Sequence, residues 1–162
     1  MGLLSERGVE FVVVGGTAAV LQGAPVQTFD LDIVHRRSPE NAERLLGVLG
    51  EIHAHARAQP KRKVAPRVEH LLGVGQVLLA TDLGPLDVLC TLEEGQGYEE
   101  ILADSVVMEV GDLRVRVLRL ARLIQAKRAS NRPKDRAVLP LLEATLEESE
   151  TSGTKRAGRD ED

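Results

Sequence analysis

The sequence predicts one α/β (α+β) domain, a mixed sheet with helices packed against it. Three observations carry this expectation. Short apolar, β-branched runs alternate along the chain with helix-start and helix-stop residues. Two pairs of those runs are separated by turn residues, so part of the sheet is antiparallel. The chain has 162 residues, 43% of them hydrophobic, which is one domain with enough apolar mass for a core.

The elements follow in order. Glu10 to Val14 is a buried strand ending in the Gly15-Gly16 turn, and Thr17 to Gln22 is a short helix stopped by Gly23 and Pro25. Thr28 to His35 alternates Phe29, Leu31 and Ile33 against Asp30, Asp32 and Val34, a strand with two unlike faces. Ser38-Pro39-Glu40 starts a helix, with Ser38 as N-cap and Pro39 in the first turn; its stripe is Leu45, Leu46, Leu49 and Ile52. His53 to Arg67 is a polar, basic connection. Gln76–Thr81 and Leu86–Thr91 form a hairpin across Asp82-Leu83-Gly84-Pro85, and Val106–Val110 and Leu113–Leu118 form a second across Gly111-Asp112. Leu120–Ala129 and Pro133–Leu146 make a C-terminal helical pair. Residues 1–150 are expected to be the domain. Thr151 to Asp162 holds one apolar residue, Ala157, and is expected to be a disordered acidic tail.

Composition narrows the function. Lys+Arg total 21 and Asp+Glu 25, so a globally basic, DNA-coating protein is excluded. Phe11, Phe29 and Tyr98 are the only aromatics, too few for rows of base-stacking platforms. The lone Cys90 forms no internal disulfide and fits a reducing compartment; it reads as a buried thiol. No apolar run approaches the roughly 20 residues that span a bilayer, and Met1 to Glu10 lacks a basic-then-apolar leader. The expected location is cytoplasmic, with no membrane partner. Against the acidic total, Leu113 to Arg136 carries nine bases and one acid, a local bias suited to a polyanion.

Four groups of residues carry chemistry. Gly15, Gly16 and Thr17 lie where a strand turns into a helix, so a phosphate could approach the backbone closely and meet free N–H groups. Asp30 and Asp32 project from one strand face about 6–7 Å apart. Paired carboxylates in a strand repel and raise one pKa unless a cation lies between them, and all-oxygen ligands suit Mg²⁺ or Mn²⁺. Asp87 is a lone acid inside an apolar strand; if that strand neighbours the Asp30 strand, it completes a three-carboxylate cluster. Lys127 continues the apolar stripe of Leu120, Leu123 and Ile124, and a Lys there needs an anion or must snorkel. Asp135 sits near the inward face of the last helix, where the helix dipole alone would favour it. His53 and His55 lie in a polar connection without partner ligands and read as surface residues. The Lys61–Arg67 stretch reads as a solvated loop or a contact for a polyanionic acceptor.

Gly15-Gly16, the Asp30-Leu31-Asp32 strand and the later apolar strand around Asp87 together resemble the nucleotidyltransferase superfamily that includes DNA polymerase beta. The resemblance covers about Phe11 to Leu142. Lys127, then Arg132, Lys134 and Asp135, is similar to a segment of the abortive-infection type nucleotidyltransferase toxins. It implies a minimal nucleotidyltransferase core that moves a nucleoside monophosphate from a nucleoside triphosphate to an RNA (tRNA) or protein hydroxyl, with an antitoxin partner. Asp30, Asp32 and Asp87 would hold Mg²⁺ or Mn²⁺, with Asp87 as the candidate base. Gly15, Gly16, Thr17, Lys127, Arg132 and Lys134 would meet the triphosphate, and Asp135 would orient Lys127 or fix the helix start. Two other readings compete: a degenerate transferase domain that binds a partner protein, and a phosphatase-like hydrolase with Asp30 as nucleophile. The second fits poorly, because a Gly-Gly turn precedes the acids.

Overall fold

The computed structural model describes residues 1–92 and 95–157, with side chains through residue 152. It is a mixed α/β fold. Its elements are α1 (Gly2–Glu6), β1 (Phe11–Val14), α2 (Gly15–Leu21), β2 (Leu31–His35), α3 (Pro39–Glu51), β3 (His55–Ala56), α4 (Val68–Leu72), β4 (Gln76–Thr81), β5 (Gly84–Leu89), α5 (Tyr98–Leu102), β6 (Ser105–Val110), β7 (Leu113–Leu118), α6 (Leu120–Ser130) and α7 (Pro133–Ala157). The seven strands form one sheet in the order β3-β4-β5-β2-β1-β7-β6. Both expected hairpins form, β4 with β5 and β6 with β7. β1 runs antiparallel to β2, and β2 runs parallel to β5.

The two sheet faces follow from strand periodicity. Ile33 and His35 share one face of β2, and both are fully buried. His35 Nε2 lies 2.9 Å from Leu71 O of α4, which packs with α3. Asp32 and Val34 take the other face, where α2, α6 and α7 lie. Gln22 fastens this side: its Nε2 donates to Leu118 O at 2.9 Å and its Oε1 accepts from Leu120 N at 2.9 Å. The start of α6 is thereby tied to the end of α2. Cys90 is buried.

α3 begins as expected, with Ser38 Oγ accepting from Asn41 N at 3.2 Å and Pro39 at the first helical position. The buried Asn41 then joins three segments. Its Oδ1 accepts from Glu10 N at 2.7 Å, and its Nδ2 donates to Glu10 O at 3.0 Å and Arg36 O at 2.8 Å. The ends of β1 and β2 are thus held to the helix.

Four expectations are corrected. The second strand starts at Leu31, not Thr28, because hydroxyls of Thr17 and Thr28 take the Asp30 carbonyl out of the ladder. Gly84 and Pro85 open β5 instead of lying in the turn, whose two residues are Asp82 and Leu83. Pro85 precedes the β2 ladder, which begins at Leu31 opposite Leu86, so its missing N–H leaves that ladder intact. The basic connection contains a strand, β3, paired with β4. Finally, α7 runs past Leu146 to Ala157, through the first part of the expected tail. Glu147 and Glu148 favour helix, and Thr145, Ser149 and Thr151 turn their hydroxyls to carbonyls of the preceding turn. Residues 158–162 of that tail lie outside the described residues.

Asn41→Ala removes three part-buried hydrogen bonds and takes that partner from Glu10 N and Arg36 O, so it is expected to lower stability by about 2–4 kcal/mol in urea denaturation, whereas Ser38→Ala should cost about 1 kcal/mol.

Candidate active site

The sheet register builds the site. Val14 lies opposite Asp32, Asp32 opposite Asp87, and Asp87 opposite Leu78. Parallel neighbours β2 and β5 therefore present two carboxylates side by side on one face. Asp30 joins them from just before β2, held by Thr17 Oγ1 donating to its carbonyl at 2.9 Å and by Thr28 Oγ1, 3.2 Å from its Oδ1. One carboxylate oxygen from each of Asp30, Asp32 and Asp87 lies within 4.8 Å of the others; this is the sole such group of potential metal ligands among the described residues.

The glycines before them are required by this closeness. A Cβ on Gly15 would come within 2.1 Å of Asp32 Oδ2, and one on Gly16 within 2.7 Å of Thr28 Oγ1. Gly15 also has φ +62°, which a side chain would resist.

A cleft of about 690 Å³ opens over the acids. Gly15, Gly16 and the three carboxylates line one side; Lys127, Arg132, Lys134 and Asp135 line the other. The structure therefore brings together the residues singled out in the sequence, with one exception. Thr17 is outside the lining, its hydroxyl committed to Asp30 O, so it braces an acid instead of facing the cleft.

On the far wall Asp135 is 1% exposed and gathers three donors. Lys127 Nζ donates to Oδ1 at 2.8 Å, Arg132 Nε to Oδ2 at 2.7 Å, and Ser130 Oγ to the same Oδ2. Lys127 is thus aimed by a buried carboxylate rather than left to snorkel. Sequence reasoning missed Ser130 and Thr28. It also missed Arg57, whose Nη2 donates to Asp87 Oδ1; no spacing rule links a residue beyond β3 to an acid on β5. His53 pairs with Asp82 at 2.5 Å on the surface, away from any metal-ligand group.

The electrostatics divide the two walls. Burial, then the charges of Asp30 and Asp87, push the Asp32 carboxyl up to about 6, while Lys127 and Lys134 pull it down. Burial also raises Asp87, opposed by Arg57. For Asp135, burial resists ionisation, but the donors from Lys127, Ser130 and Arg132 overcome it and hold the carboxyl far below its ordinary value. A cation between Asp30 and Asp32 would relieve the strain on the first wall. The all-oxygen donor set fits Mg²⁺ or Mn²⁺.

No protein-family model matches this chain, and no curated protein does. A solved structure does. The fold is similar to that of a Thermotoga maritima protein described as a "putative nucleotidyltransferase", with a TM-score of 0.51 and 20% identity over 99% of this chain and 88% of that one. The likeness shows the fold; the acidic cluster and the facing cations stand on this chain's own residues. Among the described residues no helix is long and apolar enough to cross a membrane.

Two predictions follow from the charges. The native pKa of Asp32, about 6, exceeds the ordinary 3.8, so the metal-free fold loses stability as pH rises between those values. Asp32→Asn should therefore stabilise the metal-free fold above pH 6 by about 1–2 kcal/mol after screening, read as a higher melting point, with the gain vanishing near pH 4. Asp135 has the opposite sign: its stabilisation is present at neutral pH and lost only in strong acid. Asp135→Ala should cost about 3–5 kcal/mol at pH 7, because it strands the Lys127 ammonium in the wall.

Proposed function

We propose that this protein is a metal-dependent nucleotidyltransferase that moves a nucleoside monophosphate from a nucleoside triphosphate to an acceptor hydroxyl on RNA, tRNA in particular, or on protein, breaking the α–β phosphoanhydride bond and releasing pyrophosphate. The observation that carries the reading is the convergence of Asp30, Asp32 and Asp87 within 4.8 Å, across one cleft from Lys127, Arg132 and Lys134. Acids opposite cations in one cleft match a ligand that is itself a divalent cation bound to a polyanion.

Asp30 and Asp32 would hold Mg²⁺ or Mn²⁺, with Asp87 as a third ligand. Such an ion lowers the pKa of a bound hydroxyl and screens phosphate charge. The protein's share is placement and electrostatics. Gly15 and Gly16 leave the cleft floor without side chains, which lets phosphate oxygens approach backbone N–H groups. Lys127, aimed by Asp135, faces the phosphates, with Arg132 and Lys134 beside it. Asp87 would accept the proton of the attacking hydroxyl, and its raised pKa favours that role. With few aromatic rings in the chain, aliphatic and Arg side chains would hold the base. The similarity of the Lys127–Asp135 segment to abortive-infection type toxins supports a toxin–antitoxin setting.

Incubation with each of the four α-labelled triphosphates, Mg²⁺, total RNA and total protein is expected to label one fraction with one nucleotide, which identifies donor and acceptor class together. Asp30→Asn should retain the fold and lose about 10³-fold or more of the transfer rate, equivalent to about 4 kcal/mol or more of transition-state stabilisation. Full transfer by that variant would remove Asp30 from the mechanism. A triphosphate-dependent rise in melting point without any transfer would point instead to a domain that binds but does not react.

A further inference from the structure

The acidic cluster already has a cation in contact with it, delivered from the sheet edge. Arg57 follows β3 directly. Its backbone is pinned on two sides: Arg57 N donates to Leu78 O at 2.9 Å, and the preceding Ala56 N donates to Val64 O at 2.8 Å. Leu78 stands opposite Asp87, and Asp87 opposite Asp32. The guanidinium therefore reaches over β4 along the same row of the sheet that carries the two acids. Its Nη2 donates to Leu79 O at 3.2 Å and to Asp87 Oδ1. The Asp87 side chain is 14% exposed, so this ion pair is only partly open to solvent. Arg57 Nε is buried with no acceptor among the described residues, so the guanidinium is held at its Nη2 end, by the Leu79 carbonyl and the Asp87 carboxylate.

We infer that Arg57 is a resident cation of the cluster, occupying on Asp87 Oδ1 the charge-compensating place of a second divalent ion and leaving Asp30, Asp32 and the other Asp87 oxygen open to one ion. This rests on the metal-binding part of the proposed function. A guanidinium stays protonated at any physiological pH, so it does not leave Asp87 by titration. A second divalent ion placed at the Asp87 oxygen that Arg57 holds would meet twice the repulsion of a unit charge. Among the described residues no cation forms an ion pair with Asp30 or Asp32: Lys127 and Lys134 act on Asp32 through space, and Lys127 is committed to Asp135. Arg57 is on this account a positioning residue that sets metal stoichiometry.

The test is a Mn²⁺ titration of the intact chain without nucleotide, followed by electron paramagnetic resonance, with melting curves as a check on folding. Wild type is expected to saturate at one ion per chain and Arg57→Gln at two. Arg57→Lys, which keeps the charge, should remain at one. Adding Asp87→Asn to Arg57→Gln should return the count to one. Two ions in wild type, or one in a folded Arg57→Gln, would overturn the role of Arg57 while leaving the metal site standing. No Mn²⁺ in either protein would remove the metal site itself, and with it both this inference and the proposed chemistry.

Discussion

Repulsion among three carboxylates is the constraint around which this fold is arranged. Asp30, Asp32 and Asp87 come within 4.8 Å of one another because a central strand, β2, runs beside β5 in a register that sets Asp32 against Asp87. A one-residue slip would turn either acid into the core and an aliphatic side chain into the cleft. The alternation prevents that slip: Ile33, Leu86 and Val88 are buried on the opposite face, and moving them to water would forfeit far more than the repulsion costs. Hydrophobic burial behind the sheet therefore imposes the charge cluster in front of it.

The rest of the cleft answers that cluster at two distances. Arg57 touches it, while Lys127 and Lys134 act from across the gap. Lys127 holds its place because Asp135 is buried and fully supplied with donors, and α6 is itself fastened to α2 through Gln22. The chain of support runs from a helix-end glutamine, through the start of the next helix, to an ammonium group at the cleft. Disturbing Asp135 thus alters both stability and the field at Asp32, though the two carboxylates make no direct bond.

The parts legible in the sequence were those set by local periodicity. Alternation in Leu31–Val34 and Leu86–Leu89 marked which side chains share a face, and Gly111-Asp112 and Ser38-Pro39 marked a turn and a helix start. The acids could be grouped because strand alternation and one plausible neighbour relation sufficed. What periodicity could not show is side chains that reach across elements. Thr17 and Asp30 are thirteen residues apart, and only the fold reveals that the hydroxyl braces the acid. Arg57 and Asp87 are thirty apart and meet only because β3 adds to the sheet edge, a two-residue strand too short to leave a pattern. The overlong α7 was hidden for a different reason: the polar stretch from Thr151 on was read as a solvated tail, although the Thr151 hydroxyl is absorbed by the helix.

The charges of the site also explain how so polar a cleft persists in a chain with a formal charge of −4. Asp30, Asp32, Asp87 and Asp135 are matched formally by Arg57, Lys127, Arg132 and Lys134, yet they are not matched evenly in space. Asp135 takes two of the cations in direct contact and Arg57 serves Asp87, which leaves Asp32 with only through-space compensation from Lys127 and Lys134, and Asp30 with no ion pair among the described residues. A site with evenly distributed pairs would offer little to a charged ligand, because every interaction gained would break one already made. This one keeps its deficit of positive charge at a single place, beside two glycines that leave the backbone bare. The uncompensated pair is where a cation gains most, and the cations on the facing wall are where a polyanion carried by that ion would settle.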